Sequence, residues 1–153
     1  VHTATLCGCR KNWNMEIIHE RPHTVGTMEN YCIVKADAAC IIKAVGNIPK
    51  GSYGSESHQK SRVLTMSDRH SSEVVPILYI DENDVKASHA MTLGQPDADQ
   101  LYYLQTRGLN LEQALGLMSI GYFLPVIEQI ENKDLREQIQ CRVEEKVGLY
   151  GHQ

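Results

Sequence analysis

Tyr31-Cys32-Ile33-Val34-Lys35 is a short β-rich run in which Cys32 and Val34 share one face and Ile33 faces away. Runs of the same character lie to either side: Met15–Glu20 before it, and Tyr31–Ala36 itself, Ala39–Val45, Arg62–Ser67 and Val75–Ile80 after. Turn residues separate them, at Arg21-Pro22, Gly26, Gly46-Asn47, Pro49-Lys50-Gly51 and Asp81-Glu82-Asn83-Asp84. Many short strands with no helix between them predict a sandwich, a barrel or a solenoid, and without an exact repeat the pattern alone does not choose among the three. The polar stretch from Gly51 to Ser61 reads as a surface loop or turn.

The period changes at Gly94-Gln95-Pro96. Beyond it Pro96 and Asp97 open a helix, with Asp97 and Asp99 suited to its positive end, and Gly108 stops it. Asn110 with Gln113 has the spacing of a capping box. The helix it starts carries Leu111, Ala114, Leu115, Met118, Tyr122 and Val126 at helical steps. Leu117, Ile120, Phe123, Leu124 and Ile127 widen its apolar surface until little polar face is left, the pattern of a helix buried on more than one side. A last helix runs from about Lys133 to Val147 with Leu135, Ile139 and Val143 as its stripe. Two parts are therefore expected, β over residues 1–94 and helical over 95–153.

With 42% apolar and 22% charged residues, the composition is that of an ordinary globular chain, and the formal charge of -4 argues against broad nucleic-acid binding. No apolar run is long enough for a membrane-spanning helix. The first residues carry no signal or transit pattern and no initiating Met, and they read as the middle of a strand, so a piece of a longer protein is expected. Five cysteines in no regular framework predict free thiols in a reducing, cytoplasmic setting.

A series of motifs then becomes recognisable. Ser61-Arg62-Val63-Leu64-Thr65-Met66-Ser67-Asp68 precedes Pro76-Ile77-Leu78-Tyr79-Ile80. Asp84-Val85-Lys86-Ala87-Ser88-His89-Ala90-Met91-Thr92-Leu93-Gly94 follows, then Asp99–Gly108, then Gly121-Tyr122-Phe123-Leu124-Pro125-Val126. In this order they resemble the C-terminal half of the SufB/SufD family of iron–sulfur cluster assembly proteins, over roughly residues 15–148. Ser88-His89-Ala90 stands where SufB-like members read Glu-His-Glu, and no cysteine lies between Cys40 and Cys141. Both features bring the chain closer to the SufD side.

The resemblance implies a right-handed parallel β-helix followed by a small helical domain. It implies a non-catalytic scaffold that pairs with a SufB-like subunit through the β-helix and with a SufC-like ATPase through the helices. It makes His89 a candidate ligand of a transient iron–sulfur cluster shared with the partner, with no cofactor expected in the isolated chain. Tyr102, Tyr103, Arg107, Tyr122 and Phe123 are the candidate anchors of the ATPase contact, although internal packing is the stronger expectation for Tyr102 and Phe123. Open β-edges predict pairing with a second copy.

Other residues admit other chemistry. Cys7-Gly8-Cys9 sets two thiols one residue apart, which can chelate a soft metal, although two core residues or an accident of the terminus explain it as well. Cys32 and Cys40 read as buried apolar residues and Cys141 as structural. His58 and His70 read as exposed loop residues. His19, His23 and His89 together define a rival reading, a small metal-dependent β-fold enzyme. A purely structural interaction module is a third.

Overall fold

The computed structural model describes residues 1–148. The chain divides into two compact units, Val1–Leu93 and Gly94–Gln153.

The first unit is a parallel β-solenoid of about three turns, built from β1 (His2–Cys7), β2 (Arg10–Ile18), β3 (Val25–Val34), β4 (Ala39–Ile48), β5 (Ser55–Thr65), β6 (Ser71–Ile80) and β7 (Val85–Gly94). Successive strands alternate between two sheets, ordered β1-β3-β5-β7 and β2-β4-β6. Each strand therefore pairs in parallel with the strand two further on. In one sheet His2 lies beside Glu29 and Val25 beside Glu56, offsets of 27 and 31 residues. In the other Arg10 lies beside Ala39 and Ala39 beside Ser71, offsets of 29 and 32. The coil length varies, so stacked positions share a place in the fold without sharing an exact sequence repeat.

Apolar residues fill the interior between the sheets. Trp13, Ile42 and Val74 form one column through three coils, and Met15, Ala44 and Pro76 the next. Cys32, Val34, Cys40, Ile42 and Val63 are among the buried residues of this core. Ile33 breaks the alternation expected of its strand, because it too is buried.

The stretch expected to be a loop, Gly51 to Ser61, is corrected by the structure. Its second half is the start of β5, where every odd residue from Ser55 to Thr65 is buried and every even one half-buried. The polar residues Ser55, Ser57, Gln59 and Ser61 point into the solenoid, so the period of two is present without an apolar face to reveal it. Gly46 makes room for them, since a Cβ there would stand 2.7 Å from Ser57 Oγ.

Corners stack as strands do. The run Asp81–Asp84 is the corner between β6 and β7, and the Gly51 and Asn83 backbone N–H groups both donate to the Glu82 carboxylate at 2.9 Å. These bonds, that from Gly51 first, hold the Glu82 carboxyl below its usual range.

The second unit is three helices: α1 (Ala98–Thr106), α2 (Leu111–Ile127) and α3 (Lys133–Val147). Asp97 caps α1, accepting from the Gln100 N–H. Asn110 and Gln113 complete the capping box of α2 through bonds of 2.9 and 3.0 Å. Gly148 closes α3 in the left-handed conformation, at φ 80°. Ala114, Ser119, Ile120, Phe123 and Ile127 are the buried face of α2.

Candidate functional site

The last coil decides which way His89 faces. Lys86 Nζ lies 2.8 Å from Glu56 Oε1, and His58 Nδ1 lies 2.8 Å from Ser88 Oγ, each pair 30 residues apart. Glu56 and His58 occupy the even, outward positions of β5, so Lys86 and Ser88 are outward on β7. The Glu56 carboxyl is held below its usual range by Lys86 first and by His58 second. The odd residues Ala87, His89, Met91 and Leu93 therefore belong to the interior side, in line with Ser57, Gln59, Ser61 and Val63 one coil back.

These interior positions are not covered. β7 is the terminal strand of its sheet, and His89, Met91 and Leu93 are exposed, the last two to 54% and 47%. On the facing sheet Val74, Pro76 and Leu78 continue the interior columns of Ile42, Ala44 and Gly46 and are only half-buried. The open coil is thus an apolar face with one imidazole in it. Gln59 lies in the row beneath His89; its Nε2 donates to the Ile77 carbonyl at 3.0 Å, and its Oε1 has no hydrogen-bond partner among the described residues.

A neutral imidazole offers one lone pair to a metal. Among the described residues no group of three or more His, Cys, Asp or Glu side chains is placed to hold a metal ion. Taken alone, His89 offers a single ligand.

The other candidates are scattered. His19 is buried at the end of β2, with Nδ1 2.7 Å from Thr24 Oγ1. His23 sits exposed in the following turn at φ 57°, edge-on to Tyr53. The structure thus gathers no metal centre from His19, His23 and His89, and the rival enzyme reading loses its ligand set. Cys7 is buried, its S–H donating to the Cys9 carbonyl at 2.9 Å, and burial pushes its thiol up. Cys9 is exposed, so one thiol faces the core and its neighbour the surface, which is the wrong arrangement for a chelate. His58 is corrected from loop to strand, half-buried on β5, while His70 precedes β6 and bonds Ser72 at 3.0 Å.

On the helices, Tyr102 is 70% exposed, against the expectation that it packs inside. Arg107 lies over the exposed Tyr103 ring at 5.3 Å and donates to its hydroxyl at 3.1 Å. Tyr122 is half-buried, and Phe123 is buried and drops out of the set of surface anchors. Among the described residues no helix is long and apolar enough to cross a membrane.

Sequence reasoning passed over two features. Met91 and Leu93 alternate with His89, yet their exposure follows only from the strand order. Cys32 and Cys40 bring their sulfurs to 3.5 Å, which only the alternation of sheets around a short corner could have suggested.

Comparison with known proteins gives a consistent result. Residues 9–122 match the family described as SUF system FeS cluster assembly, SufBD core domain. The chain is 34% identical over 137 residues to the iron–sulfur cluster assembly protein SufD of Bacillus subtilis, covering 90% of this chain and 31% of that one. It is 29% identical over 125 residues to a SufBD family protein of Synechocystis, covering 79% and 28%. The SufD of Escherichia coli is 24% identical over 115 residues, covering 75% and 27%. The chain spans less than a third of the length of each of these relatives.

Proposed function

The chain belongs to the SufBD core family of the SUF iron–sulfur cluster assembly system, and from that premise we propose that it is the partner-binding end of a non-catalytic, SufD-like scaffold. The observation that carries this reading is the open last coil, where the interior face of β7 presents His89 between apolar residues. A SufB-like subunit laying its own β-structure on this end buries Met91 and Leu93 and extends both sheets. His89 then meets ligands of the partner and helps hold the nascent cluster, which is cargo and not a resident group. One imidazole among softer ligands gives a more labile site, which suits a scaffold that must release what it builds. The exposed Tyr102 and the Tyr103–Arg107 pair on α1 supply the kind of aromatic and guanidinium anchors a SufC-like ATPase needs. A second copy is the alternative occupant of the open coil when no SufB-like partner is present.

The test uses the full-length protein, co-purified with SufB-like and SufC-like partners under anaerobic conditions. Leu93→Glu places a charge in the face to be buried and is expected to release the SufB-like subunit while leaving the ATPase bound. His89→Ala is expected to leave the complex intact but to lower its bound iron and acid-labile sulfide severalfold. An intact complex with normal iron and sulfide in the His89 variant removes the ligand role, and undiminished SufB-like binding by the Leu93 variant removes the docking face.

A further inference from the structure

Cys32 on β3 and Cys40 on β4 face each other inside the solenoid, their sulfurs 3.5 Å apart and 0% and 1% exposed. They sit eight residues apart on opposite sheets, either side of the corner in which Asp37 adopts φ 60°. The third core thiol does not compete, because Cys7 Sγ is held by the carbonyls of Cys9 and Ala39 at 2.9 and 3.3 Å. The hydrogen bond between the two thiols is the leading influence on both, drawing Cys40 below its ordinary range and pushing Cys32 up. The two sulfurs lie close enough that either one, once oxidised, meets the other as its resolving thiol.

We propose that Cys32 and Cys40 form a reversible disulfide, closing the corner between β3 and β4, when the chain meets hydrogen peroxide. The Cys40 thiolate attacks one peroxide oxygen, the O–O bond breaks, and a sulfenic acid forms with hydroxide leaving as water after taking a proton. The Cys32 sulfur then attacks the Cys40 sulfur; hydroxide leaves, takes the Cys32 proton and departs as a second water. The two thiols lose two electrons and the peroxide gains them. A disulfide is about 2.05 Å long, so the sulfurs approach by about 1.5 Å, within reach of modest side-chain rotation. The exposed Gly8–Arg10 corner lies beside the start of β4, the Ala39 N–H donating to the Cys9 carbonyl at 3.3 Å, and an oxidant of that size would enter by local opening there. This site is separate from the assembly role of the last coil.

The native chain is exposed to hydrogen peroxide, quenched, alkylated in denaturant and digested with trypsin, which cuts after Lys35 and separates the two cysteines. The expected product joins the Cys32 and Cys40 peptides, two hydrogen masses lighter than their sum, and dithiothreitol separates it. In a Cys32→Ser chain, dimedone is expected to capture Cys40 as its sulfenic acid. The inference fails if Cys32 and Cys40 alkylate fully at a peroxide dose that oxidises the exposed Cys9 and Cys141, or if the joined peptide forms only after denaturation. Both of those readings come from the wild-type chain and do not depend on a variant folding.

Discussion

Gly26 lies so close to the His19 imidazole that a Cβ built on it would stand 2.9 Å from both Cε1 and Nε2 of the ring. Ile17 Cγ2 is equally near, so a Cβ there has to push two side chains aside at once. Gly26→Ala is expected to cost about 1–3 kcal/mol, the usual range for overpacking a filled interior. Urea denaturation measures it. Gly121 is the contrast: it is helical and nothing stands within 4 Å of its Cβ position, so Gly121→Ala is expected to stabilise by about 0.5–1 kcal/mol. Equal stability of the two variants would mean the ring is not wedged against the glycine.

The same imidazole makes stability depend on pH. His19 is 2% exposed, Nδ1 meets Thr24 Oγ1 at 2.7 Å, and Nε2 has no partner among the described residues. Burial holds its pKa below the ordinary histidine value of about 6.5. Between that value and the lower folded one, the unfolded chain carries a proton that the folded chain does not. Acid therefore favours unfolding in that window, and the contribution is fully present only above about pH 6.5. Comparing the chain with His19→Gln by denaturation at stepwise pH isolates it. The wild type is expected to lose up to about 1.4 kcal/mol per pH unit more than the variant as pH falls below 6.5, the limit set by one proton. Parallel curves would refute it.

Much of this architecture was legible in the residues, and the reasons for the gaps are physical. The helix from Asn110 declares itself by cap chemistry that the structure reproduces bond for bond. The strand read at Tyr31–Ala36 is the second half of β3, which ends at Val34 and runs back to Val25 through Gly26. β4 likewise runs through Gly46-Asn47, because glycines read as turns here make room for inward side chains. β5 hides because its inward residues are Ser55, Ser57, Gln59 and Ser61, so hydrophobicity carries no period. The choice of a solenoid came from resemblance, since offsets of 27 to 32 residues blur any repeat. His89 could be named from its motif. Its facing could not, because that rests on Lys86 meeting Glu56 and Ser88 meeting His58 across coils.

Asn110 offers a test of the helical unit by itself. Its side chain accepts from the Gln113 N–H at 2.9 Å while Gln113 Oε1 accepts from the Asn110 N–H at 3.0 Å. Asn110→Ala removes one bond outright and frees the reciprocal side chain, at an expected cost of about 1 kcal/mol. Asn110→Asp keeps the acceptor and adds charge at the positive end of the helix, so it is expected to restore most of that loss. Thermal denaturation followed by circular dichroism distinguishes the two; an aspartate variant no better than alanine would show the cap to be idle.

Asn30 tests whether polar contacts hold successive coils in register. It is fully buried and stacks between Thr3 and Ser61 in neighbouring coils. Thr3 Oγ1 donates to Asn30 Oδ1 at 2.8 Å, and Asn30 Nδ2 donates to Ser61 Oγ at 3.2 Å. Asn30→Ala strands the buried Ser61 hydroxyl, takes the partner of the half-buried Thr3 hydroxyl and leaves a void, an expected loss of about 2–4 kcal/mol. Asn30→Val fills part of the void but satisfies neither hydroxyl, so most of the loss should remain. Adding Ser61→Ala to Asn30→Val removes one stranded hydroxyl, and the double variant is expected to be no less stable than Asn30→Val alone, because the two residues act as one unit. Strict additivity of the separate losses in a denaturant series would instead mean that shape, and not the hydrogen-bonded ladder, holds the three coils together.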